Sequence, residues 1–262
     1  MALWIRSRVS NGLAVTALCL VAAAVQGVAM TPARIGDHDA SIARLIEHPD
    51  VPGDHTFYLR CEAKVMLGGA IREVGCYDDA QVPDAFFEAV ERAAGRATFV
   101  PAEASGEKVN ALVLFTVLFR SQDGQRVTAV IPNHGTNAKA FGVNYVAPQR
   151  YGSNRFNPRA EIGLLWVDAQ MDETGRARNL KLVDTAWTTR ETRRYARRYI
   201  NGNDFIPGFV NGEPTAMRFL KPIFGYRNGF MWMRDDSKCR SATIDCREIS
   251  SSSGENRYVF DD

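Results

Sequence analysis

The chain has 262 residues, of which 32 are Lys or Arg and 30 are Asp or Glu, so its formal net charge is only +2. This balance argues against a general nucleic-acid-binding protein, which would carry a basic excess. With 45% hydrophobic residues the chain can build ordinary cores, and its length allows one domain or two small ones.

The first segment, residues 1–29, has the pattern of an export signal. Arg6 and Arg8 precede an apolar run from Gly12 to Ala29, and the small residues at its end suit cleavage after Ala29. We therefore expect a periplasmic protein. The alternative is an uncleaved inner-membrane anchor, because the run approaches the roughly 20 residues that span a bilayer.

The cysteines that follow this segment indicate a disulfide framework. An even number in an exported chain predicts two disulfides, and local pairing is favoured. A metal site is the alternative, but no C-x-x-C occurs and the four His are scattered. We expect no metal and no cofactor, and the predicted disulfides are Cys61–Cys76 and Cys239–Cys246.

A repeat with a single offset is the most informative feature of the sequence. Gly69 recurs 106 positions later as Gly175, and apolar alternation is kept at the same offset without a gap. One offset across such a distance indicates an internal duplication. Further identities at this offset pair Phe99, Pro101, Gly106 and Glu107 with Phe205, Pro207, Gly212 and Glu213.

The first copy, residues 57–120, is predicted to read strand, strand, helix, strand. Leu59 to Leu67 alternates apolar and polar residues, as a half-buried strand does. Gly68-Gly69 predicts a tight hairpin turn, Pro83 to Gly95 an amphipathic helix, and Val109 to Phe119 the last strand.

The predicted turn also bears on the first disulfide. A two-residue loop at Gly68-Gly69 places Cys61 opposite Cys76 as a hydrogen-bonded pair, whose Cβ atoms lie further apart than a disulfide prefers. A bulge or a longer turn would relieve this.

The second copy, residues 159–225, repeats the plan. A capping box of Thr188 and Glu191 is predicted to begin its helix, and Gly202 to end it. Its strands are predicted at Leu165–Met171, Ala177–Val183 and Thr215–Phe224, with a turn at Asp172–Gly175.

The remaining segments complete an α+β organisation. Residues 30–56 precede the first copy, and residues 121–158 form a turn-rich connector with a short strand at Arg126–Ile131. Residues 226–262 form a tail that the Cys239–Cys246 bridge would staple.

The repeat unit resembles the C-terminal domain of TonB, the periplasmic part of a bacterial energy transducer. The second copy carries most of the motifs, and the first carries Gly69, Phe99-Val100-Pro101-Ala102 and Gly106. The resemblance implies a β-β-α-β fold without enzymatic activity that binds envelope proteins. The motifs of the second copy are Phe156-Asn157-Pro158-Arg159-Ala160, Val167-Asp168, Asp172-Glu173-Thr174-Gly175-Arg176, Phe205-Ile206-Pro207-Gly208 and Asn211-Gly212-Glu213-Pro214.

The sequence departs from TonB in ways that favour a binding module over a transducer. It has no Pro-rich stretch after the apolar segment, it has two copies, and the run from Gly12 to Ala29 lacks the polar His that meets motor partners. Outer-membrane receptors and inner-membrane motor proteins are the partners that the resemblance implies. An anchored energy transducer is the alternative, and contact with the membrane is expected only in that case.

An exposed last strand predicts a peptide-binding edge, because its unpaired backbone groups can accept one more strand. The strand from Thr215 to Phe224 is the first candidate and Val109 to Phe119 the second. In the competing interpretation these edges pair with each other or with the connector. The predicted binding residues are Thr215, Met217, Phe219 and Lys221.

The helix of the second copy carries a predicted basic face opposite Tyr195 and Tyr199. This face could meet acidic phospholipid, an acidic partner or the anionic cell wall, or it could simply be solvated. Its residues are Arg190, Arg193, Arg194, Arg197 and Arg198, spaced as one side of a helix.

Enzymatic signals are poor. No G-x-S-x-G, H-E-x-x-H or P-loop occurs. We therefore expect a non-enzymatic protein, with an envelope enzyme of unrecognised type as a further alternative.

Overall fold

The computed structural model describes residues 29–77, 82–152, 163–185, 188–201 and 204–225. Its fold is α+β and rich in sheet, as predicted. The predicted export segment up to residue 28, the motif Phe156–Ala160 and the Cys239–Cys246 bridge lie outside the described residues.

The elements are labelled in chain order. The helices are α1 (Ile42–Leu45), α2 (Asp84–Ala94), α3 (Ala138–Phe141) and α4 (Arg190–Asn201). The strands are β1 (Met30–Thr31), β2 (Arg34–Ile35), β3 (His55–Val65), β4 (Ile71–Tyr77), β5 (Phe99–Val100), β6 (Ala102–Ala104), β7 (Glu107–Val109), β8 (Ala111–Gln122), β9 (Gln125–Ile131), β10 (Gln149–Tyr151), β11 (Gly163–Met171), β12 (Ala177–Asp184), β13 (Asp204–Ile206), β14 (Gly208–Val210), β15 (Glu213–Thr215) and β16 (Met217–Gly225).

The two larger sheets place their main strands in the same way. In one the order includes β8-β3-β4, and in the other it is β12-β11-β16. Each therefore has its first strand in the middle, the returning strand on one side and the last strand on the other. All these pairings are antiparallel.

The first sheet is extended by strands from outside the first copy. Its six strands run β13-β10-β8-β3-β4, with β9 also paired to β8. The predicted connector strand is confirmed as β9, whereas β10 was not predicted. Since β13 belongs to the second copy, the first sheet draws on both halves of the chain.

The hairpin turns show why the same residues recur 106 positions apart. Gly69 and Gly175 both have positive φ, +84° and +78°. A Cβ on either would overlap a carbonyl oxygen, that of Phe99 in one copy and of Phe205 in the other. Glycine is required at both positions for its conformation and for this close approach.

Short extended segments before each copy also occupy matching places. Ile35 pairs with Phe99 as Arg150 pairs with Phe205. Thr31 pairs with Glu103, and Val146 forms the corresponding bridge to Phe209. Both equivalences have an offset of 115 rather than 106, so the two segments make matching pairings although their sequence spacing differs.

Two buried clusters form the core, and each takes residues from both halves. The first packs α2, through Phe86, against β3 and β8, and it includes Ile206 and Phe209 from the second half. The second packs Tyr195 and Tyr199 of α4 against β11 and β16, and it includes Leu114 of β8. The two halves are therefore interlocked.

The Cys61–Cys76 disulfide is confirmed, with its Cα atoms 4.0 Å apart. The two residues lie directly opposite each other, and the register shifts between Ala63 and Lys64. The turn is also longer than Gly68-Gly69 alone, since the Met66 N–H donates to the Ala70 carbonyl at 2.9 Å. The bulge and the longer turn give the close spacing of a non-hydrogen-bonded pair, which accommodates the bridge.

Candidate binding surfaces

Strand β16 lies at the end of its sheet. It pairs with β11 along its whole length, from Met217 to Gly225. Among the strands of the described residues, none pairs with its other side. That side is the unpaired edge on which the sequence-based prediction depends, and Leu220 and Pro222 on it are buried.

A side chain covers one end of this edge. Asn137 donates from Nδ2 to the Arg218 carbonyl at 2.8 Å, and its Oδ1 accepts from the Arg218 N–H at 3.1 Å. These two bonds replace those that a neighbouring strand would make. Because backbone groups alternate in direction along a strand, the even-numbered residues of β16 point their N–H and C=O groups outward.

The predicted binding residues have other roles. Met217, Phe219 and Lys221 are 1%, 3% and 2% exposed, and their backbone groups face β11. Thr215 is half-buried at the end of β15, where its hydroxyl donates to the Glu213 carbonyl at 3.0 Å. Met217, Phe219 and Lys221 therefore support the strand from within.

The outward backbone groups belong to Leu220, Pro222 and Phe224, which sequence reasoning did not select. Pro222 has no N–H, so this part of the edge offers two donors and three carbonyl acceptors. Proline on an edge strand limits uncontrolled pairing. Leu220 is only 5% exposed and Pro222 is also buried, so the unpaired edge is short and partly covered.

The second candidate strand does not offer an edge of this kind. Strand β8 pairs with β3 on one side, and with β10 and β9 on the other. This agrees with the competing interpretation, in which the strand pairs with the connector, because β9 and β10 both lie in residues 121–158.

Lys221 instead joins the two sheets through a buried ion pair. Its ammonium donates to the carboxylate of Glu62 on β3, which is 8% exposed. It also lies over the ring of Tyr199, 5.2 Å from the centroid, and Arg150 approaches that ring at 4.8 Å. Burial lowers the pKa of Lys221, but the Glu62 carboxylate, Tyr199 and Tyr195 together outweigh burial and raise that pKa.

Other polar groups complete this buried region. The Nε2 atom of His134 lies 2.8 Å from the Cys61 carbonyl oxygen, which accepts a hydrogen bond from the ring. Desolvation lowers the pKa of His134 to about 3, so the ring is neutral. Burial likewise raises the pKa of Tyr195 to about 12. These groups hold defined positions between the sheets.

The predicted arginine face is present on α4, and all five arginines are exposed. Thr189, one residue after the predicted Thr188, caps the N-terminus of α4. Its hydroxyl accepts a hydrogen bond from the Thr192 N–H at 3.1 Å. Thr188 instead accepts from the Thr185 N–H at 2.7 Å. The prediction that Thr188 and Glu191 form a capping box is therefore wrong.

The two copies differ at this helix face. The positions of α2 that correspond to the five arginines carry three acidic residues, one phenylalanine and one arginine. Arginine is therefore not required by the fold at these positions. The corresponding residues of α2 are Asp84, Phe87, Glu88, Glu91 and Arg92.

A cavity of about 900 Å³ lies beside the hairpin turn of the second copy. Its lining includes Tyr151, Arg176, Asp204, Phe205 and Pro207. Burial raises the pKa of the Tyr151 hydroxyl, and Asp204 contributes in the same direction.

The described ranges also bear on metal binding and on membrane-spanning helices. No group of three or more His, Cys, Asp or Glu residues there could hold a metal ion. Within the same ranges, every helix is too short or too polar to cross a membrane.

Comparisons with known proteins gave no relative. No family model, no curated protein and no solved structure matches the chain.

Proposed function

We propose that the chain is a periplasmic, non-enzymatic protein of two tandem TonB-like units that binds an extended peptide segment at the β16 edge. The outward backbone groups of Leu220, Pro222 and Phe224 carry this proposal, because no described strand satisfies them. A partner strand added there would gain main-chain hydrogen bonds. Its partners are envelope proteins that act in or beside outer-membrane transport.

Support for the tandem units comes from the matching strand orders and turn glycines. Both glycines meet the backbone of a Phe-x-Pro element, and this element follows a helix in each copy. The motifs by which the sequence resembles the TonB C-terminal domain include the same glycine and Phe-x-Pro residues. The resemblance thus rests on residues that have a structural reason to recur.

A peptide-binding assay tests the proposal with a variant that should bind the peptide more tightly. Peptides tiled across the periplasm-facing segments of the outer-membrane receptors of the same organism are titrated against the protein. Pro222→Val adds one outward N–H, and one hydrogen bond is worth about 1 kcal/mol, so affinity should rise roughly fivefold. Pro214→Val in the β14–β15 hairpin is the matched control and should leave affinity unchanged.

Two results would contradict the proposal. One is that none of these peptides binds. The other is that a bound peptide responds equally to Pro222→Val and Pro214→Val, which would place it away from β16.

A further inference from the structure

We propose that the arginine face of α4 binds an anionic phospholipid surface. Arg190, Arg194 and Arg197 are exposed and have no ion-pair partner among the described residues. Arg193 pairs with Asp184 at the edge of the face. The face therefore presents a concentration of positive charge on a chain whose net charge is only +2.

The fold does not explain these arginines. The buried side of α4, including Tyr195 and Tyr199, supplies the packing that the helix needs. At the corresponding face of α2 the same architecture tolerates Asp84, Glu88 and Glu91. An exposed helix face needs only mixed polar residues to remain solvated. Five arginines within nine residues favour an anionic ligand instead.

The composition of the face favours a phosphate-bearing surface over a protein partner. Every exposed residue of α4 is an arginine, a glutamate or an asparagine. A protein interface normally has an apolar core, which such a face cannot supply. Guanidinium groups pair with phosphate through two hydrogen bonds. The arginines span about 12 Å along the helix, and a lipid surface can meet them without a specific register.

Vesicle binding tests this proposal on the chain that begins at Met30, which contains every described element. The probes are phosphatidylcholine vesicles with and without phosphatidylglycerol, at low and high salt. The variant Arg190→Gln/Arg194→Gln/Arg197→Gln should bind the anionic vesicles roughly a hundredfold more weakly. Salt should weaken binding of the unaltered chain.

A second triple variant controls for net charge. Arg96→Gln/Lys108→Gln/Arg120→Gln removes the same charge from exposed positions elsewhere and should reduce binding only a few fold. Thermal unfolding followed by circular dichroism confirms that both variants are folded. Peptide affinity at β16 should be unchanged in the α4 variant, which separates this proposal from the preceding one.

Three outcomes would overturn the proposal. Equal losses in the two triple variants would indicate non-specific attraction. Equal binding to vesicles lacking phosphatidylglycerol would show that anionic lipid is not the ligand. Tighter binding to soluble polyglutamate than to anionic vesicles would assign the face to an acidic protein.

Discussion

Replacing Lys221 by methionine tests whether a buried ion pair joins the two sheets. Lys221 and Glu62 are only 2% and 8% exposed, so the variant leaves a carboxylate in the interior without its partner. Breaking a buried pair in this way typically costs about 3–5 kcal/mol. We expect the free energy of unfolding to fall by about 3 kcal/mol or more.

The double variant Glu62→Leu/Lys221→Met separates the pair from the packing around it. Replacing both charges by apolar groups removes the desolvation penalty, so most of the lost stability should return. Arg44→Met is the surface control. Arg44 contacts Asp37 at 2.6 Å, but the two side chains are 53% and 92% exposed. Its loss should cost less than about 1 kcal/mol.

Urea denaturation followed by circular dichroism measures all three variants. A loss below about 1 kcal/mol for Lys221→Met, similar to the surface control, would refute the reasoning, because an unpaired buried carboxylate cannot cost so little. Failure of the double variant to recover stability would show that packing, rather than charge, holds the sheets together.

Three other predictions concern the turn, a histidine and the disulfide. Gly175→Ala should lower the free energy of unfolding by at least about 2 kcal/mol more than Gly124→Ala, since both have positive φ but only Gly175 meets a carbonyl oxygen; equal losses would remove the steric argument. The lowered pKa of His134 means that the unfolded chain binds a proton between about pH 6.5 and pH 3 that the folded chain does not. Between pH 7.5 and pH 5 the unaltered chain should therefore lose about 2 kcal/mol more stability than His134→Asn, and parallel pH profiles would contradict this. Removing the disulfide by Cys61→Ala/Cys76→Ala should cost about 3 kcal/mol in urea denaturation, as expected for its 15-residue separation, and an unchanged midpoint would show that the hairpin is fixed without it.

The local features of the fold could be predicted because each depends on residues close together in sequence. Alternation predicted β3 and β11, and the apolar stripe predicted α2. The offset of 106 was visible because Gly69 and Gly175 make the same contact with Phe99 and Phe205. A steric requirement of this kind fixes residue identity and so leaves a trace in the sequence.

The extension of the first sheet could not be predicted in the same way. Strand β10 is three residues long and pairs with both β8 and β13. The side chain of Gln149 in β10 accepts a hydrogen bond from the Ala33 N–H at 2.8 Å and donates one to the Ala33 carbonyl at 2.6 Å. The two residues are 116 positions apart. Such contacts depend on the assembled fold, since a short polar strand has no periodic signal of its own.

The sequence-based prediction chose strand β16, which lies at the end of its sheet, but it named residues whose backbone groups face β11. The choice of Met217, Phe219 and Lys221 was wrong for backbone pairing, because the direction of the backbone groups depends on which neighbour the strand pairs with. Asn137, which caps the edge, lies 81 residues before Arg218. Nothing in the local sequence of either residue indicates this contact.

Amide hydrogen exchange along β16, measured by NMR on ¹⁵N-labelled protein, tests the central proposal most directly. In the free protein the outward amides of Leu220 and Phe224 should exchange faster than those of Phe219 and Lys221, which face β11. Adding a peptide that binds should slow amide exchange at Leu220 and Phe224 and leave the exchange rates of Phe219 and Lys221 unchanged. Uniform protection of all four amides in the free protein, or protection by the peptide at another strand, would contradict strand addition at this edge.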